Sequence, residues 1–210
     1  MKKIFLLIIL ILSFQTLSLA DNVRYFPIAG IKIGDSALDY FSKSQLEDYE
    51  QGWHNFSYNE YSTSYILEKG IYNWFLVSYR NDDNNFIIEG LVGGLEKSNY
   101  DNKECNNEID TIALDISKLF KNTAQEEKIT YELTADAART YPFTGKSSVT
   151  SLSFNFLDGS KIILECYNMD KEAKKNQSFL KSVLKQNDSF RIDVRSSAFA
   201  KHLKKKRIMR

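Results

Sequence analysis

The segment VTSLSFNFLDGSKIILECYNM, residues 149–169, constrains this chain more than any other. Two runs rich in β-branched and aromatic residues flank Leu157-Asp158-Gly159, which is the composition of a β-hairpin. If Asp158-Gly159 were a two-residue turn, Phe156 would oppose Lys161 and Leu152 would oppose Glu165. A three-residue loop instead puts Gly159 at the left-handed position such loops require. Phe156 then faces Ser160, Phe154 faces Ile162, Leu152 faces Leu164 and Thr150 faces Cys166. Only this register gives both strands one shared apolar face, and burial sets register. A hairpin with an apolar face needs a covering layer, and Cys166 lies on the face to be covered.

The cover is legible in residues 101–121. Cys105, Ile109, Ile112, Ile116 and Leu119 recur at steps of four and three, a single stripe at helical period. Lys103, Asn107, Asp110, Asp115 and Lys118 occupy the solvated face. Cys105 and Cys166 are the only cysteines in the chain. Packing the helix on the hairpin brings their faces together, so a structural Cys105–Cys166 disulfide is expected. Closing that loop is worth about 4 kcal/mol by chain entropy. The alternative is a reactive thiolate, which wants a basic neighbour, a helix start or a C-x-x-C pair. Cys105 stands near a helix start but beside Glu104, and no C-x-x-C exists.

The other elements follow from local patterns. A short strand is expected at 31–33. Asp35 or Ser36 then caps a short helix with Leu38 and Phe41 on one face, and Ser44-Gln45-Leu46-Glu47 has capping-box spacing. Three strands are expected as a meander: EYSTSYILE; IYNWFLVSY, apolar on both faces and so central; and FIIEGLVGGL. KITYELTAD is a further strand, and an irregular stretch follows at 141–146. A lysine-rich helix is expected at 171–185. The next strand carries Phe190, Ile192 and Val194 on one face, and SSAFAKHL forms a helix capped by Ser197. The fold class is α+β: antiparallel sheets, a β-meander and a β-hairpin, with packed helices. The order also allows two αβββ-like halves dividing near Asn99, at 21–98 and 99–200, packed as one unit.

Residues 1–20 stand apart. A basic start, an eleven-residue apolar run from Ile4 to Phe14 and a small-x-small site before Asp21 match a secretory signal peptide; the run is too short to span a bilayer. Export to the periplasm or beyond is the implied location, and it suits paired cysteines. The whole chain carries 28 basic and 27 acidic side chains. Six of the bases lie at 201–210, in KHLKKKRIMR, which leaves residues 21–200 with 20 bases against 27 acids. Such a body is a poor partner for nucleic acid. The basic tail, with Lys204, Lys205, Lys206 and Arg207, offers weak contact with an anionic surface, or is simply a solvated terminus.

Chemistry-bearing residues are sparse. Two histidines, His54 and His202, cannot supply a recognisable zinc site, so no metal or cofactor is expected. His54 reads as a loop residue among aromatics. The Asp82-Asp83 turn and the acids at 101–110 lack calcium-loop spacing. Among the aromatics, Trp53, Tyr58, Tyr65 and Trp74 are the candidates for a sugar- or peptide-binding face, against the simpler role of core and cross-strand pairs.

Several short motifs recur together: I-K-I-G-D-S before a short helix, a cysteine opening a helix that ends K-L-F, F-N-F-L-D-G-S-K-I before E-C-Y, and F-R-I-D-V-R-S-S-A-F. In this set the chain resembles uncharacterised small exported proteins of AT-rich marine alphaproteobacteria; a lysine-to-arginine ratio of 21 to 7 agrees with AT-rich coding. The resemblance implies export and a paired cysteine, and no activity or catalytic residue. The chain is also similar, more weakly, to small outer-membrane assembly lipoproteins whose αβ modules begin with an I-x-x-G turn, but it lacks their lipidated cysteine. The functional expectation is an exported, non-enzymatic protein that binds or scaffolds a protein, peptide or saccharide in the periplasm or envelope. The alternative is a small exported hydrolase with a carboxylate or serine site.

Overall fold

The described residues form seven strands: β1 (Tyr61–Leu67), β2 (Trp74–Arg80), β3 (Gly90–Glu96), β4 (Ala124–Glu132), β5 (Ser148–Phe156), β6 (Lys161–Asn168) and β7 (Ser189–Arg195). The computed structural model describes residues 22–47, 60–67, 70–96, 102–120, 124–132, 147–169 and 189–208. The expected signal peptide, the 141–146 stretch, the 171–185 helix, Trp53, His54 and Tyr58 lie outside the described residues.

All seven strands form one antiparallel sheet in the order β1-β2-β3-β7-β6-β5-β4. The meander β1–β2–β3 and the meander β4–β5–β6 meet on either side of β7, which is bonded to β3 and to β6. The fold is α+β, and the two sets of strands share one continuous sheet.

The hairpin register is the one its burial demands. Thr150 pairs with Cys166, Leu152 with Leu164 and Phe154 with Ile162. The Phe156 N–H donates to the Ser160 carbonyl at 3.0 Å, and the Gly159 N–H donates to the Phe156 carbonyl at 2.9 Å. Gly159 has φ +86°, the left-handed conformation only glycine adopts cheaply. Asp158 Oδ1 tightens the loop by accepting from the Ser160 N–H at 2.8 Å.

One face of the sheet is apolar across its width. Leu152, Leu164, Ile192, Phe75 and Ile66 form one buried row, and Phe154, Ile162, Val194, Leu91 and Val77 form the next. Each side chain so buried contributes about 1.5–3 kcal/mol. Helix α2 (Asn102–Leu119) follows α1 (Lys43–Glu47) in the chain and covers the β5–β6 part of this face. Val23, Ile28, Ile31, Ile33, Phe41 and Leu46 of the N-terminal region join the same core. Cys105 of α2 and Cys166 of β6 are disulfide-bonded, with Cα atoms 5.9 Å apart.

Three local expectations are corrected. The buried stripe of α2 runs Cys105, Ile109, Ala113, Ile116 and Phe120, while Leu119 is 55% exposed. At 100° per residue that stripe is rotated by about 40° from the one the large apolar residues suggested. Ala113 is buried, and Ile112 on the other side of the stripe is half-buried against the same core. The capping box belongs to Ser42 and Gln45: the Gln45 N–H donates to Ser42 Oγ and the Ser42 N–H donates to Gln45 Oε1 at 2.9 Å. Residues 31–33 form no strand; Ile28 and Ile31 make an isolated bridge around Ala29-Gly30, both of positive φ. Ser36 does cap, accepting from the Leu38 N–H ahead of a short 3-10 turn.

Edge strand β4 points a charge toward the apolar side. Lys128 stands opposite Leu152, and its Nζ donates to Asp110 of α2 at 2.8 Å. An inward lysine on an edge strand opposes pairing with another sheet.

Replacing both cysteines by serine, or reducing the bond, is expected to lower the unfolding free energy by about 4 kcal/mol. Urea unfolding of the oxidised and reduced chains measures this, and the chain unfolded without reductant should present no titratable thiol.

Candidate functional site

Because strand side chains alternate, the residues between the apolar ones on β6 and β7 point to the opposite face. There β7 presents Ser189, Arg191, Asp193 and Arg195, and β6 presents Glu165 and Tyr167. This second face is polar and aromatic at its centre.

Arg191 organises it. Its guanidinium carbon lies 3.8 Å from the ring centre of Tyr167 and 5.2 Å from that of Trp74. The cation is held between two π-faces, an arrangement worth about 0.5–2 kcal/mol. Trp74 reaches this position because its neighbour across the ladder is Gly94. A Cβ on Gly94 would collide with the indole, so glycine is required by close approach. The Trp74 Nε1–H donates to Glu96 Oε1 at 3.0 Å. Tyr65 packs against Trp74, with ring centres 5.8 Å apart. Burial, and then the Glu96 charge, push the Tyr65 phenol up to about 12.

Beside Arg191, Glu165 is its partner in the β6–β7 register. The Tyr167 hydroxyl donates to Glu165 Oε2 at 3.1 Å. Burial raises the Glu165 pKa, the Asp193 charge raises it further, and Arg191 opposes both. Asp193 is buried and accepts from Arg195, Nε to Oδ2 at 2.9 Å.

Two polar atoms in this stripe are buried and have no hydrogen-bond partner: the Oγ of Ser189 and the Nε of Arg191. They are two residues apart on β7, on the same face, and Ser189 is 3% exposed. Leaving a buried donor unpaired costs about 1–3 kcal/mol.

Comparison with family models, with curated proteins and with solved structures finds no match.

Helix α3 (Ser197–Ile208) starts against the second face, at Gly90 and Tyr61. Its cap is Ser196 in place of the expected Ser197: the Phe199 N–H donates to Ser196 Oγ at 3.1 Å, and Ser196 in turn donates to Glu89. Ser197 instead donates to the Asp158 carbonyl, tying the helix to the β5–β6 loop. Phe199 lies against Gly90, where a Cβ would come within 2.5 Å of its ring, and Tyr61 stacks on Phe199 and His202. His202 Nδ1 is 3.7 Å from Glu60. The tail residues Lys204, Lys205, Lys206 and Arg207 continue this helix.

Of the candidate aromatics, Tyr65 and Trp74 belong to the polar stripe, with Trp74 2% exposed. The stripe residues that carry charge, Glu165, Arg191, Asp193 and Arg195, were not singled out from the sequence. Their signal was the alternation in F-R-I-D-V-R, whose charged positions must share one face wherever the apolar ones share the other. The acids at Asp82 and Asp83 serve local turns: Asp83 accepts from the Asn85 and Ile87 N–H groups, and Asp82 pairs with Arg80. Among the described residues no group of three or more His, Cys, Asp or Glu could hold a metal ion. No described helix is long and apolar enough to cross a membrane.

The folded state holds its proton on Glu165 more tightly than the unfolded chain does. The stability this contributes is complete below the unfolded carboxylate pKa and is lost as pH rises through the folded one. Glu165→Gln keeps an acceptor for Tyr167 and should remove that loss. Urea unfolding of both chains across the mildly acidic to neutral range measures it; parallel curves would count against a proton-holding Glu165.

Proposed function

We propose that this is an exported, non-enzymatic binding protein of the periplasm or envelope, whose ligand seat is the polar stripe on the second face of the sheet. Export is supported by the signal-like residues 1–20 and suits the Cys105–Cys166 bond. The resemblance to small exported proteins of marine alphaproteobacteria belongs to the same reading.

One observation carries the assignment of the site: Ser189 Oγ and Arg191 Nε, two residues apart on the same face of β7, are both buried and unpaired. Buried donors persist in that state at a cost, and a ligand acceptor removes it. The surrounding groups select the ligand class. With Glu165 holding its proton, Glu96 and Asp193 balance Arg191 and Arg195, so the seat offers no net positive charge to an anion. The aromatic rings and mixed donors and acceptors suit an uncharged saccharide, or a peptide segment offering carbonyl oxygens.

The oxidised protein titrated with panels of uncharged oligosaccharides and of peptides, followed by tryptophan emission and calorimetry, tests this. A ligand should bind, and Ser189→Ala should weaken it by about 1 kcal/mol, the worth of one neutral hydrogen bond. If no member of either panel binds, the reading fails. The hydrolase alternative rests on the raised pKa of Glu165 next to ionisable Asp193; turnover of a glycoside or ester that is abolished in Glu165→Gln would favour it instead.

A further inference from the structure

The lysines near the end of the chain are arranged by a helix that is docked on the sheet. Ser196 caps α3 directly after β7, and Phe199 and Ala200 are buried at its start. His202, one turn after Phe199, stacks on Tyr61. These contacts fix which side of α3 faces the protein. Lys201, Lys204 and Lys205 are exposed. At 100° per residue they fall within an arc of about 100°, almost diametrically opposite Phe199. Docking thus converts a basic stretch of sequence into a row of three lysines that faces outward from a rigid support.

We propose that this face of α3 binds an anionic phospholipid surface. Charge complementarity selects the partner. Residues 21–200 carry 20 bases against 27 acids, so an anionic surface is repelled by the body and attracted by this one helix. A flat bilayer surface can meet the outward arc alone. A nucleic acid, which gains affinity by neutralising many phosphates along its length, would have to follow the chain onto its acidic body. The contact is electrostatic and superficial, since the apolar side of α3 is already used against the sheet. It binds separately from the polar stripe and does not depend on the ligand seated there.

Each lysine near an anionic bilayer strengthens binding by about fivefold, so removing three should weaken it by about a hundredfold. The test is co-sedimentation of the oxidised full chain with vesicles. Mixed phosphatidylglycerol–phosphatidylcholine vesicles should bind it at low salt and release it as salt rises. Pure phosphatidylcholine vesicles should not bind. The triple variant Lys201→Gln, Lys204→Gln, Lys205→Gln should keep the wild-type melting midpoint, because these side chains are exposed, and lose the vesicles. The triple arginine variant should keep them. Inorganic phosphate at the lipid-phosphate concentration should not compete. Equal binding to pure phosphatidylcholine, an unaffected glutamine variant, competition by free phosphate, or tighter binding to an oligonucleotide of similar charge would each overturn the proposal.

Discussion

Strand β7 holds the molecule together. Every one of its residues from Ser189 to Arg195 has a ladder partner on β3, and the same residues pair on the other side with β6. Phe190 lies between Leu95 and Cys166, Ile192 between Gly93 and Leu164, and Val194 between Leu91 and Ile162. Take β7 away and two three-stranded meanders remain, each with a central edge exposed and half of an apolar face uncovered. These pairings are non-local, so their closure entropy must be met before their burial is gained. The disulfide reduces that problem. Only residues 97–101 separate the end of β3 from the start of α2, and Cys105 on the first turns of α2 is bonded to Cys166 on β6. The end of β3 is thereby kept on a short tether to β6. Two ladder spacings come to about 10 Å, and β7 fills that gap.

The pleat then assigns the two faces different work. Toward α2 and the N-terminal segment, β7 shows Phe190, Ile192 and Val194, and the resulting core is continuous from Ile66 to Phe156. Glycine enters where another group must come close. Gly93 admits Ile28 and Tyr72 on the core side, while Gly94 admits the Trp74 ring on the other. The same Gly-Gly pair that ends the β3 run in sequence therefore serves both faces, one residue each.

Much of this was legible in the chain. The loop Leu157-Asp158-Gly159 and its register followed from matching apolar residues across a hairpin, because a slip of one residue would turn every side chain over. The disulfide followed from that register together with the period of α2. Local end effects were less legible. On α2, Ala113 and Phe120 are buried where Ile112 and Leu119 were expected, a shift of one position along the helix. The caps at Ser42 and Ser196 each lay a residue or two before the expected serine, in segments where several serines compete for the same role. The meander β1–β2–β3 and the hairpin β5–β6 were legible, but the joining of the two sets of strands through β7 was not. Nothing in Gly90–Glu96 or Ser189–Arg195 taken singly says that they pair. For the same reason the polar stripe was hidden: Trp74, Glu165 and Arg191 lie on three different strands, and only the ladder brings them together.

The composition of that stripe is the least economical feature of the fold. A strand at the centre of a sheet, buried on both sides, ordinarily reads as a continuous apolar run. On β7 the second face is Ser-Arg-Asp-Arg, with Asp193 buried and Arg191 clamped between two rings. Replacing a buried ion pair with packed apolar residues is often neutral or stabilising, so stability does not call for these charges. Arg195 satisfies Asp193, and Tyr167 satisfies part of Glu165; these groups compensate one another inside the protein. Arg191 is oriented by two rings while its Nε has no hydrogen-bond partner, and the Oγ of Ser189, two residues away on the same face, has none either. The proposed ligand seat draws on these unsatisfied donors, which lie on the strand where the two meanders join.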